Sequence, residues 1–344
     1  MAKGYIYLTK GSFMSQQAVP IPQQFLMMAT AKMVSKPMYV AAKLCIADHI
    51  QEGISSVTEL AKKTSTHERS LYRLLRALSS VGVFKELENQ CFALTPLAEC
   101  MLNQPGTPRG MLMWFNDPIH DYAWENLLHS VQTGEAAFNK KFNMPIFDYF
   151  MQNKEIAEVF NTAMSSNALV VHSLIAKELN TQNHNVIYDI GGGHGHLMVN
   201  LLKQNPNLKG GVFDLAHVVE GAIKDSTAAF ETFGGDFFEE VPKGADAHVL
   251  AFIIHDWDDQ SSKRILTNCY NSLEKGGKIY LCENVIEGKN EPSLGKLLDI
   301  EMLVMCTGQE RTENEFKELL EGVGFTFNGV RHTEGPVSIV EATK

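Results

Sequence analysis

At 344 residues with 44% hydrophobic side chains, the chain is long enough to fill two cores rather than one. Its 40 acidic residues outnumber 30 basic ones, and the formal charge of −10 argues against broad affinity for nucleic acid, where excess lysine and arginine must neutralise phosphates. No apolar run reaches the length of a bilayer, since Val40–Ile50 is already broken by Lys43, Asp48 and His49.

The opening MAKGYIYLTKGSFM lacks the continuous apolar stretch and small-residue cleavage site of a secretory signal, and Met14 reads as a second candidate start. Cys45, Cys91, Cys100, Cys269, Cys282 and Cys306 show no C-x-x-C spacing. They read as reduced thiols of a cytoplasmic protein without structural zinc. From Val19 to Ile50 the pattern predicts a helical stretch interrupted at Pro37, more apolar than a solvated face needs, and therefore an interface between copies of the chain.

Val57 to Thr95 predicts a helix over Thr58–Lys62, a second over Ser70–Val81, and a small hairpin from Val83 to Thr95 in an otherwise all-helical region, a winged helix-turn-helix pattern. Arg69, Arg73 and Arg76 fall at helical spacing on the second helix. Two readings follow: a metabolite-sensing transcription regulator, or a dimerisation domain whose arginines make ordinary salt bridges. Pro108 to Leu179 is helical and aromatic-rich, suited to roofing a pocket for a flat acceptor.

VIYDIGGGHGHLMVNLLKQNPNLKGGVFD, Val186 to Asp214, describes a nucleotide-binding βαβ unit: a buried strand, a glycine-dense turn, a helix from His196 and a second strand closed by an acid. The third glycine of a dinucleotide fingerprint is replaced by His196, so the spacing is G-x-G-x-G. Asp214, at the second strand's end, suits ribose hydroxyls in either kind of site. Ala247–Asp259 gives another buried strand ending at His255, Asp256 and Trp257, and Lys278–Glu283 gives a further strand with Glu283 at the corresponding end. Gly308-Gln309-Glu310-Arg311-Thr312 then precedes a helix from Glu313. A histidine flanked by two glutamates suggests a general base with orienting partners. Val330–Ala342 has the pattern of a hairpin at a sheet edge.

The G-x-G-x-G turn after Asp189, Phe213-Asp214-Leu215, Gly235-Asp236-Phe237, His255-Asp256-Trp257 and the Gly308-to-Thr312 run together resemble the caffeic acid-type O-methyltransferases of plants and their bacterial small-molecule relatives. The resemblance extends from about Val19 through nearly the whole remaining chain, with the motifs in the family's order. It implies an α/β chain, with a Rossmann-like, mostly parallel sheet closed by an antiparallel C-terminal hairpin, and a winged-helix dimerisation domain ahead of it. The boundaries expected are 1–107 for that domain, 108–180 for the helical substrate roof and 181–344 for the catalytic domain. It also implies a homodimer using S-adenosylmethionine, released as S-adenosylhomocysteine, to methylate a hydroxyl of a small, aromatic secondary metabolite.

By motif, His255 resembles the family's base, and Glu283 and Glu310 the pair holding its ring. Asp189, Gly191, Gly193, Asp214, Leu215, Asp236 and Phe237 fall at the cofactor contacts, and Met164, Asn167, Met302 and Trp257 at the acceptor's. Plant enzymes commonly carry a lysine where this chain has Ala251 and a substrate-binding histidine where it has Asn167, and the segment near Met305 and Cys306 is a residue shorter and lacks their asparagine. These departures argue against plant phenylpropanoid substrates. No His/Asp/Glu cluster with ligand spacing accompanies the base, so no metal is expected.

Bland readings stand beside these. Glu310 could pair with Arg311 or Lys317, Asp236 could be a turn residue, the methionines could fill the core, and Asp256, Asp258 and Asp259 read as a solvated helix start. A phenol near pKa ~10 facing an ordinary imidazole near ~6.5 leaves roughly 4.8 kcal/mol against complete prior proton transfer, unless flanking carboxylates raise the imidazole. Either glutamate could bond the far ring nitrogen and fix the tautomer. The same cofactor pocket would also serve an N-methyltransferase, or a descendant that no longer transfers methyl.

Overall fold

The computed structural model describes residues 19–223 and 228–344. Met14, the second candidate start, lies outside them. The chain forms two compact units: one up to Asp121 together with Asn153–Asn167, the other comprising Tyr122–Gln152 and Ala168–Lys344. The roof segment expected over 108–180 is thus not a body of its own; its helices are divided between the two.

In the first unit Ser56 caps the helix Val57–Thr64, its hydroxyl accepting from the Glu59 amide at 3.3 Å. The following helix, Glu68–Ser80, buries Leu71, Leu75 and Leu78 along one stripe at spacings of four and three. A hairpin of β1 (Phe84–Glu86) and β2 (Phe92–Leu94) closes this core with two fully buried phenylalanines, so the domain is not helical throughout. Arg69, Arg73 and Arg76 face outward, and among the described residues none joins an ion pair, contrary to the salt bridges expected. Arg76 instead lies 5.4 Å over the Tyr72 ring. Pro37 sits inside the helix Lys32–Lys43, and the preceding helix, Ile21–Ala29, buries nothing.

The second unit is built on seven strands: β3 (Val186–Ile190), β4 (Lys209–Asp214), β5 (Glu231–Gly234), β6 (Ala247–Ala251), β7 (Lys278–Glu283), β10 (Thr326–His332) and β11 (Ser338–Thr343). The short strands β8 (Val285–Ile286) and β9 (Arg311–Thr312) pair with each other apart from that sheet. The spatial order is β10-β11-β7-β6-β3-β4-β5. β3 to β7 run parallel, and β11 inserts antiparallel between β7 and β10. The hairpin expected at Val330–Ala342 is this pair, begun a few residues earlier.

Alternation along the strands explains why these runs look continuously apolar. Tyr188, Leu250 and Leu281 pack with Ile265 and Leu266 of the helix Asp259–Ser272 and with Phe316 and Leu320 of Glu313–Glu321. Their neighbours Ile187, Val249 and Tyr280 pack with Leu197, Met198 and Leu201 of His196–Gln204. Both faces are covered, as a parallel sheet requires. Among the described residues no helix is long and apolar enough to cross a membrane.

Candidate active site

The strand order reverses between β3 and β6, and a crevice opens outside the carboxyl ends at such a switch point. Gly191 starts the turn after β3 with φ +73°, its amide donating to the Phe213 carbonyl at 2.7 Å. A Cβ there would stand 2.5 Å from Ile253 Cδ1 and 3.7 Å from the Phe237 ring, so only glycine keeps this cradle open. The Gly193 amide donates to Asp214 Oδ2 at 2.9 Å and the Leu215 amide to Oδ1 at 2.7 Å, which aims the carboxylate. Leu215 itself is largely exposed.

Asp189 is buried beside them. Burial, reinforced by the nearby Asp214 charge, pushes its carboxyl up to about 8. Asp236 closes a turn by accepting the Phe238 amide at 2.8 Å, the bland role foreseen for it. Phe237 meets Trp257 edge-on, with centroids 6.1 Å apart, and Trp257 stacks on Phe147 at 6.1 Å and 23°. These rings make an aromatic wall next to the glycine turn.

His255 follows β6 in a single helical turn, Ile254–Asp256. Its Nδ1 lies 3.0 Å from Glu310 Oε1. A carboxylate only accepts, so the Nδ1 proton is donated to Glu310, while Nε2 has Asp256 Oδ1 3.5 Å away. Glu283 does not share the imidazole. Its Oε1 accepts the Ile253 and Ile254 amides at 3.1 and 2.9 Å and so holds the turn that presents the ring. Glu283 and Glu310 each keep a second buried oxygen, Oε2, without a hydrogen-bond partner. Burial by itself would depress the imidazole, but Asp256, Glu283 and Glu310 more than reverse this and raise it to about 10. Burial also lifts Glu283 to about 7, against the pull of His255.

Several supporting residues were not foreseen. Asn284 Nδ2 donates to Glu310 Oε1 at 3.4 Å, and Asp299 Oδ1 accepts the Glu310 amide at 3.0 Å. Phe252, a non-glycine residue at φ +54°, makes the bend that turns the chain from β6 toward His255. Arg311 pairs with Asp259 at 2.8 Å rather than with Glu310. The three acids expected as a solvated helix start do different work: Asp256 flanks the imidazole, Asp258 caps the next helix through the Ser261 amide at 2.7 Å, and Asp259 takes Arg311. Only the capping could have been read from the run of aspartates.

The expectation that no ligand cluster accompanies the base also needs correcting. Among the described residues His255, Glu283 and Glu310 offer possible ligand atoms all within 4.8 Å of one another, a convergence their sequence separation hides. Met302 belongs to the helix Leu294–Met305, its sulfur 3.8 Å from the Cys306 thiol. Met164 and Asn167 lie on the helix Lys154–Glu178, in the part of it that belongs to the first unit.

An O-methyltransferase domain model matches residues 124–326, and an O-methyltransferase dimerisation domain model matches residues 26–104. The chain belongs to the O-methyltransferase family. This methyltransferase is 39% identical over 334 residues to the phenazine O-methyltransferase of Lysobacter antibioticus, covering 94% of its own chain and 97% of that one. It is 30% identical to the 8-amino-8-demethylriboflavin N,N-dimethyltransferase of Streptomyces davaonensis, covering 87% and 88%. It also resembles the solved structure of CalO1, a methyltransferase in calicheamicin biosynthesis in its S-adenosylhomocysteine-bound form, with a TM-score of 0.83 and 28% identity over 95% and 99% of the two chains. The methyltransferase uses S-adenosylmethionine. Its crevice suits that molecule: a glycine cradle that a side chain would fill, a buried carboxyl at Asp189 fit to receive an ammonium, and an anchored acceptor at Asp214 for ribose hydroxyls.

Proposed function

We propose that this methyltransferase methylates a phenolic hydroxyl of a small aromatic metabolite, with His255 as general base and Glu310 fixing its tautomer. The carrying observation is the Nδ1–Glu310 contact of 3.0 Å, which leaves Nε2 to take the acceptor's proton. Bound S-adenosylmethionine supplies the methyl group on a sulfonium. Asp189, Gly191, Gly193, Asp214, Leu215, Asp236 and Phe237 would hold it, while Trp257 and Met302 would contact the acceptor.

The raised imidazole alters the energetics of proton removal. With His255 near 10 and a phenol near ~10, the gap of about 3.5 units for an ordinary histidine closes, so imidazole with phenol and imidazolium with phenolate lie at similar free energy. The buried acids therefore make a phenolate beside His255 attainable within the site. A cationic ligand in the same crevice pulls the imidazole down again and releases its proton. Two of the trio's donor atoms are already committed, Nδ1 to Glu310 and Glu283 Oε1 to two amides, so we read it as a base and its supports rather than a metal site.

His255→Ala tests this reading. A loss of turnover of ~100-fold or more on a phenol that the wild type methylates supports it. Turnover within about tenfold of wild type removes the base. The 30% identity to an N,N-dimethyltransferase favours one second reading, methylation of an amine. That reaction leans less on His255, and its pH profile lacks an acid limb set by the imidazole.

We further propose a homodimer in the cytoplasm, on two observations. The dimerisation model covers residues 26–104, where Met28 and Met33 are 80% and 67% exposed, and all six cysteines are free. The acidic overall charge leaves a nucleic-acid partner unfavoured even with the arginine face of Glu68–Ser80 outward.

A further inference from the structure

We propose that Arg311 is a positioning residue for the methyl-transfer reaction: gripping the chain on both sides of His255, it sets the imidazole against Glu310. The inference rests on the reading of His255 as the base. Arg311 is 1% exposed and is among the largest fully buried side chains of the protein. A guanidinium so placed is costly unless its donors are satisfied. Nη1 donates to the Ile254 carbonyl at 3.0 Å and Nη2 to the Trp257 carbonyl at 2.9 Å, the residue before His255 and the second one after it. Nε and Nη2 both reach Asp259 Oδ1, at 3.2 and 2.8 Å, and Nη2 lies 3.4 Å from the Ser262 hydroxyl.

Arg311 directly follows Glu310 in the chain, and at Thr312 a capping box with Glu315 begins the next helix. One planar side chain thereby ties the turn carrying the base to the segment carrying its partner. Two residues before it, Gln309 adds a backbone bond of 2.8 Å to the His255 carbonyl, which ties the two stretches together without fixing the ring's angle. Lysine would keep the charge but could not span two carbonyls and a carboxylate as a rigid fork does.

The test is a double-mutant cycle between Arg311→Lys and Glu310→Gln in the full-length protein. It is read by the His255 pKa from NMR of histidine-labelled enzyme, by S-adenosylhomocysteine calorimetry, and by kcat on a simple phenol the wild type accepts. Arg311→Lys is expected to lower kcat by ~100-fold, as a misplacement of about 1 Å can. It should leave nucleoside affinity within about twofold and shift the His255 pKa downward, as Glu310→Gln does. In the Glu310→Gln background the same change should cost under ~3-fold, because the contact it protects is already gone.

An equal cost in both backgrounds, or an unmoved His255 pKa, would show Arg311 to be structural and overturn the proposal. If Glu310→Gln alone leaves both kcat and the His255 pKa as in wild type, the base reading fails and this inference with it. Should Arg311→Lys not fold, Asp259→Asn replaces it, since the Asp259 side chain is 60% exposed. Its smaller kcat loss must again vanish in the Glu310→Gln background, and persistence there overturns the proposal.

Discussion

Gly308 passes so close to His255 that a β-carbon on it would stand 1.9 Å from the His255 carbonyl oxygen and 2.5 Å from the Asp256 carbonyl carbon. The loop delivering Glu310 and the turn delivering His255 therefore touch backbone to backbone. Gly308→Ala must push them apart, and kcat is expected to fall ~100-fold, while calorimetry with S-adenosylhomocysteine changes little because the nucleoside turn lies elsewhere in the crevice. Wild-type turnover in this variant would show that the contact is not needed.

Glu310→Gln removes one of the charges that hold the imidazole up at about 10. Because the native pKa is raised, losing a raising charge lowers it, so the acid limb of kcat/KM should move to lower pH. The rate on the plateau should drop as the tautomer is less firmly set, by roughly tenfold or more. A limb that stays in place would assign it to another group.

Asp189, proposed above to hold the cofactor's ammonium, should give the nucleoside affinity its own pH dependence. Its carboxyl, at about 8 in the free protein, is mostly protonated at neutral pH, whereas an ammonium partner favours the ionised form. Affinity for S-adenosylhomocysteine should then weaken as pH falls below 8, with proton release on binding, by up to about tenfold per unit. Calorimetry in two buffers of different ionisation enthalpy reads that proton directly. Asp189→Asn should bind more weakly at pH 8 and show no such slope.

The helix Ile21–Ala29 exposes Phe25 at 69% and Met28 at 80%, more apolar surface than an isolated helix keeps in water. Phe25→Asp with Met28→Asp is expected to shift the protein toward a monomer in light-scattering chromatography. An unchanged mass would place the interface elsewhere.

Much of this arrangement was legible because strand ends carry ligands: the glycine turn, Asp214, His255 and Glu283 all sit where the apolar runs stop. The division of labour between the glutamates was not, since both follow apolar or glycine-containing segments and only distances separate a ring-holding carboxylate from one that anchors amides. Glu310 and Arg311 looked like a salt bridge from adjacency alone. Successive residues of an extended segment point opposite ways, and Arg311 turns to Asp259 instead. Gly308 looked like part of a motif, and its reason, a neighbour some fifty residues earlier in the chain, exists only in three dimensions. The 108–180 segment showed its helices and aromatics but not that folding would share them between two bodies.

The insertion of β11 between β7 and β10 bears on how the protein is made. Until Ser338–Thr343 has been synthesised, the strand that ends in Glu283 offers its outer row of amides and carbonyls to any extended peptide nearby. The strand that carries Glu283 is therefore sealed only once Ser338–Thr343 is in place, and a nascent chain stalled before Ser338 keeps that edge open.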